Sequence, residues 1–155
     1  MNKKERLMAA ISGGEVDRVP VAAWRHQPVD DQSSDAFAAA TLAFQRDFDF
    51  DFVKVTPASS YCLTDWGATT YWRGSPHGTR DYGEALVQTV DEWRKLKVLS
   101  PLAGQMGEII RGLELIGQGL EDDTPFIQTV FSPMTQARNL VGAEELLLHI
   151  RLHPD

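Results

Sequence analysis

Asp51-Phe52-Val53-Lys54-Val55-Thr56-Pro57 is the stretch on which the fold turns. Its β-branched run, closed by a proline that cannot donate to a sheet ladder, reads as a short strand. A helix precedes it: Asp35 to Phe48 is Ala-rich, with Phe37, Leu42, Ala43 and Phe44 at helical spacing and Ser33 or Ser34 as its cap. After it, Met106, Ile109, Ile110, Leu113, Ile116 and Leu120 mark one apolar stripe of a long helix from Leu102 to Leu120. Phe126-Ile127-Gln128-Thr129-Val130-Phe131 then reads as a buried strand. Strands separated by helices imply parallel pairing with right-handed crossovers.

Outward from this centre the pattern continues. Asn2 caps a first helix with Leu7, Met8 and Ile11 on one face, ended by Gly13-Gly14. Asp17 to Trp24 reads as a turn into a first buried strand, with Pro20 near its start. Tyr61 to Gly78 is a turn-rich aromatic excursion, a length that serves a binding site or covers an edge. Tyr82 to Val90 reads as a β-hairpin arm, and Asp91 to Leu96 as a short acidic-capped helix. Asp122-Asp123-Thr124-Pro125 is a turn; Ser132-Pro133 opens another helix; Gly142 separates it from a last one, Ala143 to Leu152. The order yields roughly three core strands, where a (β/α)8 barrel needs eight. Alternation alone leaves a half barrel and a small open sheet both standing, and predicts a sheet still unfinished at Asp155.

The 155 residues suffice for a hydrophobic core, and a formal charge of -7 without clustered Lys and Arg argues against a nucleic-acid partner. Cys62 is the only cysteine, which excludes an internal disulfide and a cysteine-rich zinc site and fits a reducing, cytoplasmic setting. No segment has the apolar length of a membrane span or of a secretory leader, so no membrane association is expected.

Several motifs resemble one family in order and spacing. Lys4-Glu5-Arg6 through Asp17-Arg18-Val19-Pro20-Val21 is similar to the opening of the uroporphyrinogen decarboxylase family, where a helix leads to a D-R-x-P-V strand. Asp51 to Pro57, followed by Asp65-Trp66-Gly67, resembles its second strand and loop. Phe131-Ser132-Pro133-Met134-Thr135-Gln136-Ala137, then Leu140-Val141-Gly142 and a closing His153-Pro154, resembles its third-strand region and the helices after it. The resemblance implies a partial (β/α)8 barrel, with residues 1–155 as the N-terminal portion of a barrel domain more than twice as long. It implies a carboxy-lyase of porphyrin metabolism that uses no metal or organic cofactor and takes a small polycarboxylate or tetrapyrrole. Arg25 then falls at the family's first substrate arginine, Val29 at the second, Ala58 at the catalytic aspartate and Asn139 at the tyrosine of the helix after the third strand. The missing aspartate makes the related corrinoid methyltransferases the alternative, with a corrinoid and a zinc ion whose ligands lie outside this chain. A half barrel acting by association, with itself or with a C-terminal half, is a third reading, and a noncatalytic binder using Arg25 a fourth. In each case this portion alone is expected to be inactive as an enzyme.

The residues that carry these readings are Arg25, His26, Lys54, Asp65 and Ser132, expected as substrate-binding residues, with no catalytic group singled out. Arg25 ends a strand on the site side of a barrel and suits bidentate carboxylate binding; the competing role is a salt bridge to Asp30 or Asp31. His26 is an acid/base or ligand candidate, or simply a polar loop residue. Lys54 in an apolar strand must point into the barrel mouth or pair with a carboxylate. Asp65 either caps the Trp66-Gly67 turn or replaces the missing carboxylate, and Ser132 is first a helix N-cap. Tyr61, Trp66, Tyr71 and Trp72 either face a flat macrocycle or pack the excursion, while Cys62 and His153 have packing and helix-end roles.

Overall fold

The structure is a computed structural model that describes residues 1–121 and 123–154, so Asp122 of the expected turn and the terminal Asp155 lie outside the described residues. Six helices and four short strands follow one another: α1 (Lys3–Ile11), α2 (Ser34–Phe48), β1 (Val53–Val55), β2 (Thr70–Tyr71), β3 (Asp81–Tyr82), α3 (Val90–Trp93), α4 (Gly104–Gly119), β4 (Phe126–Gln128), α5 (Pro133–Val141) and α6 (Ala143–Leu152). Side chains fix the helix starts. Asn2 and Glu5 form a reciprocal capping box on α1, with bonds of 2.8 and 2.9 Å. Ser33 caps α2, and Thr89 with Glu92 boxes α3.

β1 and β4 pair in parallel across the α4 crossover, with Val53 opposite Phe126, Lys54 opposite Ile127 and Val55 opposite Gln128. Because side chains alternate along a strand, Val53 and Val55 face the helices, where they join Phe37, Ala38, Tyr61, Ile109 and Ile116 in the main core. The valines, isoleucines and Phe37 each contribute about 1.5–3 kcal/mol by leaving water. Gly112 lets α4 approach α2, since an added Cβ there would sit 3.3 Å from Phe37. A second cluster, Leu63, Val87, Leu140 and Val141, ties the aromatic excursion to α5.

Three expectations need correction. Asp17 to Trp24 forms no regular strand: its one ladder-like backbone bond runs from Asp51 N to Val21 O at 2.9 Å. Pro20 has no N–H, and the N–H of Val21 donates to the Asp51 carboxylate at 2.8 Å instead of to a neighbouring strand. Val19, Val21 and Trp24 are accordingly exposed rather than buried. The strand at 126–128 is short and open, with Phe126, Ile127 and nearby Val130 exposed, so the described residues hold two parallel strands in place of three. The hairpin pairs only Thr70–Tyr71 with Asp81–Tyr82, because the following chain leaves the ladder to bond α5 through Val87 N and Leu140 O at 3.0 Å.

Asp51 explains the D-R-x-P-V motif as architecture. Its carboxylate, 1% exposed, accepts from Arg6 Nη1 at 2.7 Å, from both terminal nitrogens of Arg18 and from Val21 N. Burial alone would raise the Asp51 carboxyl, but the bonds from Arg18, Val21 and Arg6 outweigh it and hold the pKa below the usual range. Asp17 engages Arg6 Nε at 2.7 Å, and that bond holds its carboxyl down as well. One buried carboxylate thereby fixes α1, the 17–21 segment and the entrance of β1 together. Among the described residues, no helix is long and apolar enough to cross a membrane.

Candidate functional site at the end of β1

Beyond β1 the chain runs through buried Thr56, Pro57 and Ala58 into a short helical turn over Ser59–Cys62. Ala58 N donates to Asp31 Oδ2 at 2.8 Å, and Gln32 Nε2 donates to Asp31 Oδ1 at 2.6 Å. Asp31 is 2% exposed, and burial pushes its carboxyl above the usual range despite those bonds. It therefore braces the Ala58 peptide rather than facing a ligand. Neither Asp30 nor Asp31 pairs with Arg25.

Arg25 is exposed and makes no ion pair or hydrogen bond among the described residues. It lines a cleft of about 460 Å³ together with Trp24, His26, Trp72, Ser75 and His77, a size within the usual span of ligand sites. The indole of Trp24 meets the His26 ring edge-on, with centroids 5.3 Å apart at 79°. Lys54 projects from the face of β1 opposite the core and stacks its ammonium 4.4 Å from the Trp24 centroid. A cation over an aromatic face, not a carboxylate partner, is what makes the lysine tolerable there.

A smaller pocket of about 140 Å³ adjoins the cleft and is lined by His26, Ala58, Ser59, Arg80, Tyr82 and Phe131. His26 and Gly78 border both spaces. Gly78 has φ +70, and a Cβ there would stand 2.7 Å from His26 Cβ, so glycine is required twice over. His26 Nδ1 is buried without a hydrogen-bond partner. The Tyr82 hydroxyl lies 2.8 Å from Ser59 Oγ and accepts from Asn139 Nδ2 at 3.0 Å. Arg80 is fixed by bonds to Thr70 Oγ1, Pro28 O and Thr70 O at 3.0, 2.7 and 3.3 Å.

The structure thus brings Arg25, His26 and Lys54 together and sets Asp65 and Ser132 elsewhere. Asp65 caps α4 rather than the Trp66-Gly67 turn: Gln105 N and Met106 N donate to its two carboxylate oxygens at 2.8 and 3.1 Å. Gly104 makes room for it, because a Cβ there would collide with that carboxylate. Ser132 caps α5 through Thr135 N at 3.2 Å. Trp66 donates to Lys97 O at 2.7 Å and so packs the excursion, while Trp72 lines the cleft. Tyr61 is in the core, where burial pushes its phenol up to about 12, and burial raises the Cys62 thiol too. Among the described residues, no group of three or more His, Cys, Asp or Glu side chains could hold a metal ion. Ser59, Arg80 and Tyr82 escape the sequence reading, since they flank the excursion rather than lie in it, and Asp31, expected only as a salt-bridge partner of Arg25, instead holds the Ala58 peptide.

Comparison with curated proteins finds no match. The chain superposes on a solved structure described as a methyltransferase from Methanosarcina mazei, with a TM-score of 0.82 at 18% identity. The match covers 100% of this chain and 50% of that one, so the chain spans half the neighbour's length. At this identity the likeness speaks for the fold. Residues 2–155 match the uroporphyrinogen decarboxylase (URO-D) family. With the motifs at Asp17 to Val21 and at Asp51 now located in one buried ion cluster and its strand, the chain belongs to the uroporphyrinogen decarboxylase family.

Proposed function

We propose that residues 1–155 form the N-terminal half of one (β/α)8 barrel domain, whose mouth binds a flat tetrapyrrole bearing carboxylates. The observation that carries this reading is the unengaged Arg25 guanidinium in a cleft it shares with Trp24 and Trp72. Indole faces suit a planar macrocycle, and a guanidinium suits a carboxylate at its rim. The half-length match to the neighbour supports the barrel. The exposed face with Trp24, Ile127 and Val130 would then be covered by the other half of the barrel, or by a second copy of the chain. The single free Cys62 fits a cytoplasmic location.

Uroporphyrin and its octamethyl ester test the binding proposal, read by tryptophan fluorescence. Saturable quenching by the acid and weaker quenching by the ester is the expected outcome. Equal affinity for both would remove the cationic clamp.

One observation favours methyl transfer over the carbon–carbon lyase reaction of the family's name. Decarboxylation of a pyrrole side chain calls for an acidic group near the ring nitrogens, and Ala58 stands where the resemblance implies that aspartate. Asp31, the carboxylate bonded to the Ala58 peptide, is buried and spent on that N–H and on Gln32. A corrinoid shares the planar ring that the cleft suits. Among the described residues no ligand cluster could hold zinc, whose ligands this reading places outside residues 1–155. Carbon dioxide release from uroporphyrinogen, measured beside thiol methylation from methylcobalamin on the complete barrel, separates the two reactions.

A further inference from the structure

The small pocket beside Ala58 holds a hydroxyl hydrogen that no described residue accepts. Tyr82 and Ser59 carry one hydroxyl hydrogen each, and a single hydrogen bond of 2.8 Å joins them. Asn139 Nδ2 occupies a lone pair of the tyrosine oxygen at 3.0 Å. One O–H of the pair is therefore left without an acceptor among the described residues. Burial raises the Tyr82 phenol pKa, so the pair keeps both hydrogens at neutral pH. Arg80 adds positive charge to the same wall; three of its N–H donors are spent on Pro28 and Thr70, out of the five a guanidinium carries. A spare O–H beside a fixed guanidinium favours an oxygen acceptor with negative charge over an N–H donor.

We propose that this pocket is a carboxylate subsite, with the Ser59–Tyr82 hydroxyl pair and Arg80 as its donors and Tyr82 as the residue that sets its preference. The volume of about 140 Å³ has room for a carboxylate group. Because His26 and Gly78 border both spaces, a carboxylate arm of a ligand in the outer cleft can reach the subsite. In that respect the inference rests on the tetrapyrrole reading; the chemistry of the pocket does not.

Acetate alone is the probe. It is titrated into ¹⁵N-labelled protein while the Asn139 side-chain amide is followed, with chloride at equal ionic strength as control. A saturable shift is expected, weakened about tenfold or more in Tyr82→Phe, as for the loss of one hydrogen bond to a charged acceptor. Ser59→Ala supplies a second, smaller truncation with the same expected direction should the phenylalanine variant lose its fold. A linear, chloride-like shift in the unaltered protein overturns the proposal, as does undiminished affinity in the folded variants. Acetate binding without uroporphyrin binding would sink the tetrapyrrole reading alone.

Discussion

Replacing Asp51 by alanine removes the carboxylate on which α1, the 17–21 segment and β1 converge. The group is 1% exposed, and its partner Arg6 has a side chain 8% exposed, so the substitution leaves a buried guanidinium nitrogen and the Val21 N–H without this acceptor. Breaking a buried pair from one side costs about 3–5 kcal/mol. The same removal seen from Arg18 is different, because that side chain is 53% exposed and water can replace its bonds; Arg18→Ala should cost about 1 kcal/mol or less. Urea unfolding followed by circular dichroism reads both. With a urea slope of about 1–3 kcal/mol/M, Asp51→Ala should lower the midpoint by about 1 M or more. The folded Asp51 carboxyl lies below its unfolded value, so its contribution is present above the ordinary carboxylate range and fades as pH falls through the lowered folded value. The gap between wild type and Asp51→Ala should therefore narrow in acid. A midpoint no lower than that of Arg18→Ala would refute the assignment of Asp51 as the structural centre of the motif.

Other outcomes follow from single residues. Asp65→Ala should destabilise by about 0.5–2 kcal/mol, the range for losing a helix N-cap, while leaving acetate or porphyrin affinity intact; a selective loss of ligand affinity would restore it to the site. Asp31→Asn should stabilise the fold at neutral pH, since its amide oxygen can accept from Ala58 N and a flipped Gln32 amide can accept from its Nδ2, without the cost of a buried charge. Asp31 has a raised folded pKa, so its stabilising contribution is full below the unfolded value and is lost as pH rises. The advantage of the asparagine should accordingly vanish in acid, and an advantage that grows in acid would contradict the burial argument. Gly78→Ala should displace His26 and weaken uroporphyrin binding, because both φ +70 and the 2.7 Å approach to His26 Cβ resist a methyl group; unchanged binding would separate His26 from the cleft.

What was legible in the sequence follows the range of the interactions. Helices α1, α2 and α5 carry side-chain caps within the first turn, α4 shows its apolar periodicity along its own length, α6 follows directly on Gly142, and each appears within a few residues of its expected span. The strand after Pro20 misled because strand character is completed by a neighbour, and Val21 finds a side chain there rather than a ladder. Asp65 was read locally, but its partners lie 40 and 41 residues away at the start of α4. Lys54 meets the Trp24 indole in place of the expected carboxylate, and nothing local in the sequence singles out that ring. The hydroxyl cluster is longer in range still: Tyr82 meets Asn139 across 57 residues, and no pattern within either segment announces the meeting. Arg25 and His26 stand out in the sequence as the end of an expected strand; the structure has no regular strand there and sets both residues on a cleft wall instead.

The most direct measurement of the central claim is the dissociation constant of uroporphyrin for the wild-type chain and for Arg25→Ala at one fixed ionic strength. Arg25 makes no ion pair or hydrogen bond among the described residues, so the variant should melt close to the wild type. The cleft reading predicts saturable binding by the wild type, weakened about tenfold or more by loss of the charge-assisted pair. Equal dissociation constants, or no saturable binding by either protein, would contradict it.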